Sequence, residues 1–130
     1  YLERLAGYSY AEMGDKTDKE AYNKGLSAIN NFFKMAPSNF KFLANDYKYK
    51  GILLSRTGKD SLAFAEMERA IAFDPAASGD IYSEMALMAY RGKKFDKVVE
   101  IVEKKTAAGA ALNNNDYFNY GRANYNLGQN

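Results

Sequence analysis

Asp15, Asp18 and Glu20 are the one cluster of acids that falls in a loop, and a hard cation is the chemistry they could support. Calcium needs six to eight oxygen ligands, usually with a turn glycine and a terminal bidentate Glu, and neither follows at the required spacing. A solvated loop with a helix cap accounts for the three acids as they stand. The 130 residues contain no His and no Cys. That excludes the commonest general base, the Ser-His-Asp triad, imidazole and thiolate metal sites, and disulfides. No Gly-rich loop leading into Lys-Ser or Lys-Thr is present, so no P-loop is expected. Glu66, Glu68, Glu100 and Glu103 are spaced for exposed helix faces with Lys or Arg neighbours. We therefore expect no enzyme, no metal and no cofactor.

Aromatic residues are the richer signal. Tyr and Phe supply 15% of the chain, including eleven Tyr. Tyr10, Phe32, Tyr47, Phe95 and Tyr117 are expected in the core. The net charge is +2 and no basic run exceeds two residues, which gives no footprint for nucleic acid. No apolar stretch is long enough to span a membrane. The chain starts at Tyr1 rather than Met, and is expected to be a piece of a longer or processed polypeptide.

The elements that must position these residues are punctuated by glycine. Gly14, Gly58, Gly92 and Gly128 are 44, 34 and 36 residues apart, and Gly7, Gly51, Met85 and Gly121 each lie seven residues earlier. Helix-length segments ending in a turn glycine at this period mark a stacked helical repeat. Seven helices are expected, near 1–14, 18–36, 42–57, 60–73, 79–91, 95–107 and 115–127. Leu26, Ile29, Phe33 and Ala36 form an apolar stripe on the second. Asp96 and the run from Asn113 to Asp116 are expected at helix N-caps. The clearest unit reads Tyr47-x2-Lys50-Gly51-x2-Leu54, Gly58, Ala63-x3-Met67, Ala70 and Asp74-Pro75. Gly51 and Ala63 are small enough for two helices to approach closely. Gly58 can adopt the positive φ that stops a helix, and Pro75 ends the next one.

This pattern resembles the tetratricopeptide repeat (TPR) family, of bacterial type. The resemblance implies an all-α fold, an α-solenoid of antiparallel helix pairs. It implies one domain over 1–130, with units near 1–37, 44–77 and 78–112 and a partial unit at 115–130. It also implies a non-enzymatic protein-interaction scaffold that holds an extended peptide or a helix of a partner in a concave, aromatic, mildly basic groove. In such repeats the first helix of each unit lines the groove. By motif register that face holds Arg4, Tyr8 and Glu12, then Lys48, Tyr49, Ile52 and Arg56, then Tyr82, Ser83, Ala86 and Tyr90, and finally Phe118, Asn119, Arg122, Tyr125 and Asn126. Tyr and Arg often carry binding energy. An ordinary solvated helix face is the competing reading of the same residues.

Family members that clamp carboxylates use positions held here by Arg4, Tyr8, Tyr49, Gly79 and Ser83, and only Arg4 keeps that chemistry. The alternative function is the TPR part of a glycan- or nutrient-binding surface protein, with groove Tyr rings stacking on sugars. The resemblance leans toward the cell envelope (periplasm) over the cytoplasm. The last helix is expected to need a following helix over Tyr117, Tyr120 and Leu127, and without one to self-associate.

Overall fold

The computed structural model describes residues 2–11 and 19–128, and it is all-helical, with no strand among them. The α-helices are α1 (Leu2–Ala11), α2 (Lys19–Met35), α3 (Ala44–Arg56), α4 (Asp60–Phe73), α5 (Gly79–Arg91), α6 (Phe95–Ala107) and α7 (Asn114–Leu127). A single 3-10 turn, Pro75–Ala77, follows α4. The chain groups into two compact units, 1–73 and 74–130. The division falls at Asp74-Pro75, where Pro removes a backbone donor and ends α4. The predicted turn at Gly14 and the acids Asp15 and Asp18 lie outside the described residues.

In the first unit α1 packs on α2, α3 packs on α4, and both α1 and α2 touch α3. The contact between α3 and α4 is close because Gly51 has no side chain. A Cβ there would sit 2.7 Å from Met67 Cγ and 3.2 Å from the Ala63 carbonyl oxygen. The two helices run antiparallel, since Tyr47 near the start of α3 meets Phe73 at the end of α4. Gly25 makes the same kind of contact, with a notional Cβ pressed against Tyr10 Cβ and 2.8 Å from Leu53 Cδ2. Tyr22, Ile29, Leu53, Ala63 and Met67 are fully buried. Of the adjacent rings Phe32 and Phe33 on α2, the buried one is Phe32. Phe33 is half-buried and stacks on Phe42, while Phe32 meets Phe40 and Phe42 edge-on.

In the second unit α5 packs on α6, and α7 packs on both. Met85, Ala86, Met88, Ala89, Val98, Ile101, Val102 and Ala123 form its core. Tyr117 is not part of it. The residue is 63% exposed, and among the described residues no helix lies over that side of α7. Tyr10, Tyr47 and Phe95 are half-buried, and of the five rings expected in the core only Phe32 is fully inside.

Three helices end in the same motif, with small shifts from the glycines that announce it. After α3, Gly58 takes φ +83°. Its N–H bonds to the Ser55 carbonyl and the Lys59 N–H to that of Leu54, the paired bonds of a Schellman end. After α6, Gly109 plays this part at φ +82°. After α5, however, Gly92 has an ordinary φ of −80°, and the left-handed residue is Lys93 at φ 58°. The one extra residue in this turn displaces the strained position off the glycine. A side chain in that region costs about 1 kcal/mol relative to glycine. Lys93→Gly should therefore raise the thermal midpoint of the 74–130 unit, while Gly92→Ala should leave it nearly unchanged. Asp96 is not an N-cap, since Lys94 holds that place and Asp96 lies within the first turn of α6. Asn113 is the cap of α7, as its type and position suggest.

Candidate functional site

Two buried carboxylates organise the faces on which binding residues are expected. Asp46 lies in the first turn of α3 and is fully buried. Arg4 on α1 grips it with two hydrogen bonds, Nε to Oδ1 and a guanidinium NH2 to Oδ2, both 2.9 Å. The Tyr8 hydroxyl donates to Oδ1 at 2.6 Å, and the Leu43 backbone N–H donates to Oδ2 at 2.7 Å. Burial, then the hydrogen bond to Asp46 and its negative charge, push the Tyr8 hydroxyl well above its ordinary pKa. The Arg4 guanidinium also lies over the rings of Phe32 and Phe40. A planar fork that is permanently charged suits such a site.

Asp116 repeats the device in the first turn of α7. Lys105 of α6 donates to Oδ2, Ser83 of α5 donates to Oδ1 at 2.8 Å, and the Asn113 N–H donates to Oδ2 at 2.9 Å. The Asn113 side chain accepts in return from the Asp116 N–H. Burial alone would raise the Asp116 pKa. The bonds from Lys105, Asn113 and Ser83 outweigh burial and hold it below the ordinary carboxylate value. A carboxyl group whose folded pKa is depressed stabilises the fold above its unfolded pKa, and that contribution is lost as pH falls through the folded value. Acid titration of the native chain should show stability declining below about pH 4, and Asp116→Asn should remove part of that decline.

Sequence reasoning passed over Asp46 and placed Asp116 only in an N-cap run, although a signal for both was present. Asn45-Asp46-Tyr47 and Asn115-Asp116-Tyr117 stand in the same place, with Asp five residues before Gly51 and before Gly121. Each Asp is three residues beyond the residue preceding its helix, where a carboxylate can reach back to an unsatisfied N–H.

The locks decide which predicted binding residues face solvent. Arg4 and Tyr8 are bound to Asp46, and Ser83 to Asp116, so their polar atoms serve the interior. Arg4 does clamp a carboxylate, but one of its own chain. Ile52 and Asn119 are buried and offer no surface to a partner; both lie one helical step closer to the packed side than the repeat register suggests. Ala86 is buried as well. Glu12 lies outside the described residues.

The remainder form two separate clusters, one in each unit. In the first unit Tyr49 is half-buried and its ring lies 4.5 Å from that of Tyr8, with Lys48 Nζ 5.3 Å from the Tyr49 ring. Arg56, half-buried at the end of α3, has a buried Nε with no hydrogen-bond partner among the described residues. In the second unit Tyr82 is half-buried, and the half-buried Tyr90 packs against Phe95 and Phe118. Phe118, Arg122 and Tyr125 follow one another at helical spacing on α7, and Phe118 and Tyr125 are 59% and 61% exposed. Arg122 lies 5.9 Å from the Tyr125 ring, and Asn126 donates to the Arg122 carbonyl. Among the described residues there is no group of three or more acids placed to hold a metal, and no helix long and apolar enough to cross a membrane.

No known family model, curated protein or solved structure matches this chain.

Proposed function

We propose that this chain is a non-enzymatic protein-interaction scaffold of TPR type, a solenoid of antiparallel helix pairs. Its partner surface includes the face of α7 that carries Phe118, Arg122 and Tyr125, backed by Tyr90 of α5. One observation carries the reading. Two large rings on this face are more than half exposed and flank a cation, while Asp116, Asn119 and Ala123 of the same helix are buried. Rings and guanidinium groups together favour an extended peptide or a helix with apolar and acidic side chains, held by ring burial and charge-assisted hydrogen bonds. Lys48, Tyr49 and Arg56 offer similar chemistry in the first unit.

The test compares a displayed peptide library with a glycan array, using the intact chain as the probe. Enrichment of peptides with acidic and apolar residues is the expected result. The triple variant Phe118→Ala, Arg122→Ala, Tyr125→Ala should lose that binding with unchanged helical content, since none of the three side chains holds the core. Binding to sugars through the same rings would favour the glycan-binding alternative. Loss of folding in the triple variant would show that these side chains serve the core and would sink the proposal.

A further inference from the structure

Helix α3 carries four charged side chains, and the fold itself uses two of them. Asp46 is gripped by Arg4, and Lys50 meets Glu66 of α4 at 3.6 Å. Lys48 and Arg56 meet no carboxylate among the described residues. Both are half-buried. They stand eight residues apart on one side of α3, about 12 Å along the helix axis. Ile52 lies in the turn between them and is buried. Tyr49 shares this side, and its ring packs 4.5 Å from that of Tyr8. The Tyr8 hydroxyl is fixed on Asp46, so the pair of rings is already in place for a partner. The Lys48 ammonium lies 5.3 Å from the Tyr49 ring. Arg56 is the sharper signal. Its Nε is buried with no hydrogen-bond partner. A guanidinium cannot shed its charge, and a buried N–H without an acceptor is costly. An incoming oxyanion removes that cost.

We propose that this side of α3 binds an extended acidic segment of a partner protein. One side-chain carboxylate meets Arg56, a second meets Lys48, and an apolar side chain between them packs against Tyr49. In an extended segment alternate residues face the same way, and residues four apart are separated by about 13 Å. The matching pattern is therefore acidic, apolar and acidic at positions one, three and five. Two separate cations on a chain of net charge +2 suit discrete carboxylates rather than the continuous charge of a nucleic acid. As a protein-binding site it rests on the interaction-scaffold reading, but it does not involve α7.

The probe is a synthetic peptide with Glu, Leu and Glu in that pattern, acetylated and amidated so that carboxylates come from its side chains alone. It is titrated into the isotope-labelled 130-residue chain and followed by amide chemical shifts. Saturable shifts at Lys48, Tyr49 and Arg56 are expected. Arg56→Gln should weaken binding roughly tenfold or more, and exchanging both Glu of the peptide for Gln should weaken it at least as much. With the Gln peptide, Arg56→Gln should make no further difference, because the contact is already gone. The urea midpoint of Arg56→Gln should equal or exceed that of the parent, since no carboxylate is stranded. The variant Phe118→Ala, Arg122→Ala, Tyr125→Ala should bind the peptide as the parent does. If that variant loses the peptide while Arg56→Gln keeps it, the peptide belongs to α7: the scaffold reading then stands and this site falls. Absent shifts, or an affinity that Arg56→Gln leaves unchanged, overturn the site. A midpoint lowered by Arg56→Gln overturns it too, because the guanidinium would then serve the fold and not a ligand.

Discussion

Arg4→Ala should lower the stability of the 1–73 unit by about 3 kcal/mol, read as a shift of its urea midpoint. Asp46 is fully buried and the Arg4 side chain only 12% exposed, so the variant strands a carboxylate away from water. The Tyr8 hydroxyl and the Leu43 N–H still solvate it, which places the effect toward the low end for a broken buried pair. Replacing both partners tests the cause. Arg4→Met with Asp46→Asn leaves no buried charge and keeps an acceptor for Leu43, and should recover more than half of the loss. Glu20 and Lys24 provide a contrast within the same unit. Their contact is well exposed, and breaking it should matter by a few tenths of a kcal/mol. An Arg4→Ala effect no larger than that would mean that water reaches Asp46.

The helices themselves were legible because local chemistry marks their ends. Gly58 supplies positive φ, Pro75 removes a donor, and Asn113 caps α7, and the corresponding boundaries fall within a residue or two of those expected. The close contact of Gly51 with the Ala63 turn was legible for a related reason, since small residues at matching places on two neighbouring helices allow their backbones to approach. The binding face was less legible. Repeat register assigns a residue to a side of its helix, but it does not report what that side chain meets from another helix. Arg4, Tyr8 and Ser83 sit on the expected side and are captured by Asp46 and Asp116, which lie far from them in sequence. Ile52 and Asn119 lie at the edge of the stripe, where a small rotation of the helix turns an exposed position into a buried one. Exposure of Tyr117 has the opposite origin: the residue type fits a core, and the covering helix is what the described residues lack.

Gly51 and Gly121 occupy equivalent places and should respond to substitution with opposite signs. Gly51→Leu should destabilise the chain by about 3 kcal/mol, as the added side chain overpacks the contact with α4. Met67 can rotate away, but the Ala63 carbonyl is fixed backbone 3.2 Å from the new Cβ. The helices must therefore separate and expose Leu54 and Ala70, which are buried now. Gly121→Ala meets open space, and the only large term left is the lower backbone entropy of alanine in an unfolded chain, which should stabilise α7 by about 0.5–1 kcal/mol. Thermal unfolding of the two variants beside the parent settles the comparison. A loss of stability in Gly121→Ala would mean that something already packs on that face in solution. An unaltered midpoint in Gly51→Leu would mean that α3 and α4 are not in the close contact described. The sign of the difference thus separates a filled repeat surface from an open one, using two residues that the sequence alone cannot tell apart.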